Sequence, residues 1–212
     1  MIMRRFYLSI LFLVILFCSI STLCIANSGL PGVVILVGPP LSGKGYLADK
    51  LVTSGKFQHL SVGELLRKKS AGNPKAAENM RSGKLVNQDL VNDLLSKELK
   101  SYSANPGGKV LLLDGYPRSV EQVDFLAKML QDSGVTLKSV IYISCPDEVL
   151  FARLEERAKK SGREDDKVDV VRGRVALYRS TSSSILAKYP NKVSEFSCKS
   201  KDLYSDVLRT IS

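Results

Sequence analysis

The sequence predicts a single α/β domain in which a parallel sheet is covered by helices on both faces. Continuous apolar runs occur at 33–37, 110–113 and 140–143, each next to glycine or proline. Runs of this length and composition are typical of strands buried on both sides, as in parallel sheets. Helical patterns separate these runs, so right-handed strand–helix–strand crossovers are expected to connect them.

Six helical patterns and two weaker strands complete the predicted architecture. The helices are expected at 45–52, 62–69, 88–99, 120–130, 147–160 and 168–188. Shorter apolar runs at 57–60 and 193–196 would bring the sheet to five strands. The sequence shows no internal repeat, low-complexity tract or linker, which is consistent with one domain.

Composition and charge limit the function classes. The 212 residues are 44% hydrophobic and 25% charged, which excludes a disordered or collagen-like chain. The net charge of +10 suits a phosphate-bearing partner, either a polymer or a small nucleotide. The single histidine, His59, excludes a multi-histidine zinc site and leaves a Ser-His-Asp triad only one candidate base. We expect His59 to end the second strand and to be structural.

The four cysteines fall into two groups. Cys18 and Cys24 lie in an apolar N-terminal stretch, whereas Cys145 and Cys198 belong to the body of the chain. The sequence contains no C-x-x-C motif, so zinc ribbons and thioredoxin-like sites are not indicated. A Cys145–Cys198 disulfide is possible, but a domain of this size can form its core without one. We therefore expect two unpaired buried thiols.

The N-terminus is typical of a secretory signal peptide. A positive region at 1–5 precedes an apolar region at 6–25, and the run ends at Cys24-Ile25-Ala26. Cleavage after Ala26 would leave 27–212 as the mature domain. The alternative is an uncleaved anchor helix, the one case in which membrane contact is expected. The signal peptide predicts entry into the secretory pathway, with the protein secreted, lumenal or sorted onward to an organelle.

A phosphate-binding motif follows the first strand. Residues 38–44 match G-x-x-x-x-G-K and precede a predicted helix. In this context the glycines allow backbone N–H groups to face phosphate oxygens, and the helix start adds the positive end of its dipole. Lys44 would place an ammonium group against the outer phosphates. The simpler alternative is a glycine-rich turn with a solvated lysine.

Further motifs are similar to those of the adenylate kinase family of nucleoside monophosphate kinases. Gly45 stands where most P-loops have a magnesium-binding Ser or Thr, and Gly-Lys-Gly is the version found in this family. The resemblance covers about 33–190, with further matching motifs at 59–67, 83–86 and 113–118. It implies a P-loop NTPase-type three-layer sandwich, a monophosphate-binding segment at 61–90 and a short lid at 158–168.

The resemblance also implies a role for individual residues. ATP would contact Gly38, Leu41, Ser42, Gly43, Lys44, Gly45, Tyr46, Arg153 and Arg157. AMP would contact Ser61, Val62, Arg67, Leu85, Val86, Gly115, Arg118, Gln122, Arg163 and Arg174. The catalytic set would be Lys44, Arg118, Arg157, Arg163 and Arg174. Asp114 would hold Mg²⁺ through water. Arginine suits phosphate because its planar fork stays charged and can bond two oxygens. For any single arginine the alternative is a solvated surface charge.

The implied reaction is transfer of the terminal phosphoryl group of Mg-ATP to AMP, giving two ADP. Gln122 favours AMP, because adenylate kinases carry glutamine at this position whereas UMP/CMP kinases usually carry asparagine. Val62 matches neither the threonine common in adenylate kinases at this position nor the small residue of UMP/CMP kinases, so a UMP/CMP kinase is one alternative. Leu41 and Tyr46 replace a family glycine and threonine, so a nucleotide-binding but catalytically impaired protein is another. We expect a monomer, and no nucleic-acid binding because an aromatic platform is missing.

Overall fold

A five-stranded parallel sheet organises the chain. The computed structural model describes residues 31–70, 72–161 and 166–212. The strands are β1 (Gly32–Val37), β2 (Phe57–Ser61), β3 (Val110–Asp114), β4 (Thr136–Ser144) and β5 (Val193–Ser197). All pairings are parallel, and the strand order is β2-β3-β1-β4-β5. The first strand therefore lies in the middle of the sheet, and the segment that follows it leaves from the centre.

Helices connect the strands in the described part of the chain. They are α1 (Lys44–Val52), α2 (Val62–Ser70), α3 (Pro74–Arg81), α4 (Gln88–Ala104), α5 (Val120–Asp132), α6 (Asp147–Ser161), α7 (Val168–Ala187) and α8 (Leu203–Ile211). A helix connects each pair of consecutive strands, as the sequence predicts for crossover connections.

Apolar side chains cover both faces of the sheet. Val33 and Ile35 of β1 belong to one buried cluster, and Val34 and Leu36 belong to the other. Because successive strand residues point to opposite faces, this alternation requires helices on both sides. The predicted three-layer α/β class is confirmed.

The predicted elements differ from the observed ones in four places. Helix α4 continues to Ala104, five residues past the predicted end. Strand β4 begins at Thr136, four residues before the apolar run. The prediction missed this start because the first residues alternate between exposed and partly buried positions and so form no continuous apolar run. Helices α3 and α8 are absent from the sequence-based assignment. Each has a side-chain cap: Asn73 accepts a hydrogen bond from Ala76 N at 3.0 Å, and Asp202 accepts one from Ser205 N at 3.3 Å. These caps are the sequence signals that could have found both helices.

The expectation of two unpaired thiols is wrong, because Cys145 and Cys198 form a disulfide. Strands β4 and β5 are neighbours, and Ser144 is in register with Ser197. The next residue of each strand is a cysteine, so register brings the two Cα atoms to 5.2 Å although 53 residues separate them. Our expectation rested on the size of the hydrophobic core, but the register of β4 with β5 is what brings the two cysteines together.

Several predictions lie outside the described residues. These are the signal peptide at 1–26, Arg163, and the part of the lid at 162–165. Among the helices that the structure describes, none is both long and apolar enough to span a membrane.

Candidate active site

A cleft of about 640 Å³ opens at the carboxyl ends of the central strands. The loop after β1 forms one wall, and side chains of α2, α6 and α7 line others. A smaller pocket of about 60 Å³ shares lining residues with the cleft and extends toward α3 and α5. Ligand sites of open α/β sheets form at this edge, where neighbouring crossovers leave in opposite directions.

The phosphate loop has the backbone that its glycines allow. Gly43 has φ +96°, in the left-handed region. A Cβ atom at Gly38 would lie 2.8 Å from Ile143 O and 2.9 Å from Ser42 Oγ. The chain therefore passes too close to β4 for any side chain at residue 38. Ser42 is buried beneath the loop, whereas the other predicted ATP-contacting residues line the cleft.

Lys44 reaches across this loop. Its Nζ donates hydrogen bonds to Gly38 O at 2.7 Å, Pro39 O at 2.9 Å and Ser42 Oγ at 3.3 Å. Burial lowers the pKa of Lys44 to about 8; Asp114 raises it, and the nearby arginines Arg118, Arg174 and Arg157 lower it. The ammonium thus lies in a site where positive charge is unfavourable until an anion enters.

Two residues at this loop depart from the family pattern. Leu41 has φ +68°, a conformation that costs a leucine about 1–2 kcal/mol. This positive φ is the reason that glycine is common at that position. The ring of Tyr46 is 75% exposed at the wall of the cleft. Its bulk is therefore accommodated outside the packed loop.

Asp114 ends β3 next to the phosphate loop. Burial raises the pKa of Asp114, but His59, Lys44 and Arg118 outweigh burial and hold it below its usual value. The carboxylate is therefore ionised at neutral pH. A Cβ atom at Gly45 would lie 3.8 Å from Asp114 Oδ2, so the absent Ser or Thr side chain leaves space beside this oxygen.

His59 lies inside β2 rather than at its end, and it lines the cleft. Its Nδ1 is 2.9 Å from Asp49 Oδ1, and its Nε2 is 3.9 Å from Asp114 Oδ2. Burial lowers the pKa of His59, but the carboxylates of Asp114 and Asp49 outweigh burial and raise it. Nε2 is buried and has no hydrogen-bond partner among the described residues. We expected His59 to be purely structural, and that expectation does not account for its position in the cleft beside Asp114.

Besides Arg153, four of the six predicted arginines share the cleft with Lys44: Arg67, Arg118, Arg157 and Arg174. Arg157 Nε donates to Asp166 Oδ2 at 2.8 Å, and a second guanidinium nitrogen bonds the other oxygen of this buried carboxylate. Arg118 Nε donates to Gly115 O at 2.8 Å. The arginines come from four different helices or loops, so the fold, not local sequence, brings them together.

Arg153 also lines the cleft, but its guanidinium bonds backbone. Its Nη1 donates to Ser42 O at 2.9 Å and to Leu41 O at 3.2 Å, and its Nη2 donates to Cys198 O at 3.0 Å. Arg153 therefore holds the phosphate loop through the backbone carbonyls of Leu41 and Ser42. The sequence predicts a contact with ATP and gives no sign of this support.

The smaller pocket contains most of the predicted AMP residues. Its lining includes Val62, Arg67, Leu85, Val86, Gly115, Arg118, Gln122 and Arg174, whereas Ser61 lines the main cleft. Gln122 is 5% exposed, and its Oε1 accepts a hydrogen bond from Arg118 N at 2.7 Å. A buried amide beside apolar side chains is suited to bonding the edge of a base.

Sequence reasoning missed one wall of the cleft. Leu177, Tyr178, Thr181 and Ile185 of α7 line it together with Arg174. Their spacing from Arg174 is 3, 4, 7 and 11 residues, which places them on one helical face. This periodicity was available in the sequence, but apolar residues on such a face are indistinguishable from core residues.

The arrangement is suited to holding two phosphorylated ligands. Basic side chains converge from both sides on one space, and a pocket with an apolar wall adjoins it. Within the described residues, no cluster of three or more His, Cys, Asp or Glu side chains forms a metal site.

Comparisons with known proteins agree with this geometry. The adenylate kinase family model matches residues 36–194. Proteins named adenylate kinase from Xanthomonas oryzae pv. oryzae (strain MAFF 311018) and Xanthomonas campestris pv. campestris (strain B100) are 36% identical over 162 residues, covering 74% of this chain and 85% of theirs. One from Synechococcus sp. (strain CC9902) is 33% identical, covering 74% of this chain and 84% of its own. The chain belongs to the adenylate kinase family.

Proposed function

We propose that this protein transfers the terminal phosphoryl group of Mg-ATP to AMP and so produces two ADP. One observation carries the proposal: Lys44 and the arginines Arg67, Arg118, Arg157 and Arg174 line one cleft between a phosphate loop and a smaller pocket that contains Gln122. Phosphoryl transfer requires little covalent work from the protein, so alignment and charge stabilisation are the main contributions. This cleft supplies both.

The donor would lie along the phosphate loop. Backbone N–H groups of the loop and the N-terminus of α1 bind its phosphates, and Lys44 leaves its carbonyl partners for a phosphate oxygen. Arg157 and Arg174 stabilise charge on the transferred group. Because Asp166 already holds the Arg157 guanidinium at two points, that arginine needs little reordering when phosphate binds.

The acceptor would lie on the other side of the cleft. Arg67 and Arg118 hold the monophosphate, whose oxygens are already ionised at neutral pH. The acceptor has no proton to lose, so the reaction needs no general base. Gln122 bonds the edge of the acceptor base, and Val62 and Val86 pack against its face. The length of the Gln122 side chain should discriminate purine from pyrimidine bases, and glutamine at this position, as in adenylate kinases, supports AMP.

The residues present fit a magnesium ion. Asp114 is ionised, space is open beside its Oδ2, and the buried His59 Nε2 faces it without a hydrogen-bond partner in the described structure. A water molecule bound to the cation would fit in the space beside Gly45 and could form hydrogen bonds with Asp114 Oδ2 and His59 Nε2. When bound, magnesium neutralises charge on the phosphate oxygens. Asp114 would hold it through water.

A product assay across acceptors tests the proposal. The protein is mixed with Mg-ATP and, in separate reactions, AMP, dAMP, CMP or UMP at millimolar concentration. We expect ADP formation to be fastest with AMP. A preference for CMP or UMP would indicate the pyrimidine alternative, and ATP binding without any turnover would indicate the impaired alternative.

Gln122→Asn sharpens the assignment of the base pocket. The shorter amide should lower kcat/KM for AMP by about tenfold and narrow the preference over CMP, because one hydrogen bond to the base is lost. Gln131→Asn, on the same helix α5 but outside both pockets, is the control. Equal preference in the wild type and in Gln122→Asn would contradict the proposed role.

We propose that residues 1–26 direct the chain into the secretory pathway, where it is secreted, remains lumenal or is sorted onward. The order of positive, apolar and small residues supports this proposal. N-terminal sequencing of the protein from its native cell should begin at residue 27. An intact N-terminus in a membrane fraction would indicate an anchor instead.

A further inference from the structure

The disulfide lies directly behind the phosphate loop. Cys145 follows β4 and Cys198 follows β5, and both are buried, with 3% and 6% of their surface exposed. Cys198 N donates to Ser144 O at 2.8 Å, so the sheet pairing continues up to the bridge. The carbonyl of Cys198 therefore has a fixed position relative to β4.

Arg153 connects this fixed point to the loop. One nitrogen donates to Cys198 O at 3.0 Å, and another donates to Ser42 O at 2.9 Å and Leu41 O at 3.2 Å. The second nitrogen also lies 4.0 Å from Cys145 Sγ. A single planar guanidinium thus joins the two ends of β4 and β5 to two consecutive residues of the phosphate loop.

The loop needs such support at this point. Leu41 and Gly43 both have positive φ, and leucine disfavours this conformation. In phosphate-binding loops such left-handed residues turn successive N–H groups toward the bound anion. The loop carbonyls have two donors here: Lys44 bonds those of Gly38 and Pro39, and Arg153 bonds those of Leu41 and Ser42. If Arg153 moved away, Leu41 could relax toward negative φ and the N–H groups would lose their common direction.

We propose that the Cys145–Cys198 disulfide and Arg153 form one positioning unit for the phosphate loop, so that breaking the bridge weakens triphosphate binding far more than monophosphate binding. The bridge fixes Cys198 O, Cys198 O orients Arg153, and Arg153 holds Leu41 and Ser42. The inference rests on the proposed function only in assigning the triphosphate to this loop.

Titration calorimetry on the full chain tests the inference without turnover. The wild type and the double variant C145A/C198A are titrated with ATP and with AMP in separate experiments. The Kd for ATP should rise by about tenfold, because a small displacement of the loop removes several N–H contacts together. The Kd for AMP should change by less than about twofold, since the acceptor pocket is remote from the bridge.

Two controls separate positioning from stability. Val207→Ala removes a fully buried side chain from the same apolar cluster as Cys145 and Cys198. It should lower the unfolding temperature and leave the ratio of the two Kd values unchanged. Arg153→Lys keeps the bridge, but its single nitrogen replaces a guanidinium in which one nitrogen bonds Cys198 O and another bonds Leu41 O and Ser42 O. It should reproduce the selective loss of ATP affinity whether or not C145A/C198A is stable enough to measure.

A double-mutant cycle tests whether the bridge acts through Arg153. In an Arg153→Met background, removing the bridge should weaken ATP binding by less than about twofold further. Additive losses would overturn the inference, as would equal weakening of ATP and AMP binding or an unchanged Kd for ATP in Arg153→Lys. Failure of the proposed function differs from these outcomes: the wild type would bind ATP but form no ADP.

Discussion

The two sides of the cleft are held in place by different kinds of contacts. The phosphate loop is fastened by distant parts of the chain, since Arg153 is more than 100 residues away from Leu41 and Ser42. In α3 and the segment after it, the hydrogen bonds are local: Ser82 Oγ donates to Glu78 O, and Asn79 Nδ2 donates to Leu85 O. This segment also makes a long-range contact, because Gly83 packs closely against Val170 and Arg174 of α7.

This difference indicates how the two sides can behave. Distant hydrogen bonds keep the donor loop in one conformation before any ligand arrives. Local hydrogen bonds keep the acceptor helices intact but allow them to shift as a unit. We therefore expect substitutions on the donor side to affect chemistry and ATP binding, and substitutions on the acceptor side to affect AMP binding.

The largest effect is expected at the centre of the donor side. Lys44→Met should lower kcat by about a thousandfold, because a charge that stabilises the transferred phosphoryl group is removed. ADP formation from ATP and AMP is the measurement. Lys50→Met is the matched control, since Lys50 lies on the exposed face of α1 over the ring of Tyr204. Comparable activity in the two variants would contradict the assignment of Lys44.

Gly83→Ala tests the acceptor side. A Cβ atom at residue 83 would lie 2.9 Å from Val170 Cγ1 and 3.2 Å from Arg174 Cγ. The new methyl group should displace Arg174 and raise KM for AMP by about tenfold, with KM for ATP changed less. Steady-state kinetics with each substrate varied separately measures both constants.

Gly55→Ala isolates the part of this effect that comes from backbone strain. Gly55 also has positive φ, +77°, but no atom lies within 4 Å of its added Cβ. Both variants lose about 1–2 kcal/mol to the left-handed conformation. A similar rise in KM for AMP in Gly55→Ala would mean that lost stability, not the contact with α7, is responsible.

The lowered pKa of Lys44 predicts that ATP binding is accompanied by proton uptake. Its value of about 8 lies below the unfolded value of 10.5, so between these values the unfolded chain binds more protons and stability rises with pH. Bound phosphates favour the ammonium, so ATP binding at pH 8 should take up about half a proton. Calorimetry in buffers of different ionisation enthalpy measures this uptake. Identical heats in all buffers at pH 8 would contradict it.

Leu41→Gly should have the smallest effect. Relief of about 1–2 kcal/mol of strain is offset by the greater entropy of glycine in the unfolded chain, about 0.5–1 kcal/mol, and by lost packing. The free energy of unfolding should therefore change by less than about 1 kcal/mol in urea titrations. A loss above about 2 kcal/mol would show that the Leu41 side chain, not its backbone, is what the loop needs.

The sequence predicts the parts of the molecule that depend on local pattern. β1 is recognised because five apolar residues precede a glycine-rich motif, and the motif itself identifies Lys44. The Cys145–Cys198 bridge and the loop-holding role of Arg153 depend on the register of β4 with β5, which no short segment encodes. Likewise, the α7 wall near Tyr178 resembles core until the cleft is seen.

With Gln122 and Arg118 in their proposed roles, the hydrogen bond between them should make nucleobase identity affect turnover as well as affinity. Gln122 Oε1 accepts a hydrogen bond from Arg118 N, so the side chain that we assign to the acceptor base also fixes the backbone of the arginine that we assign to its phosphate. A mismatched base that pulls this amide aside would misalign Arg118 at the moment of transfer. Discrimination would then be felt in kcat, and a wrong nucleotide could bind well yet react slowly.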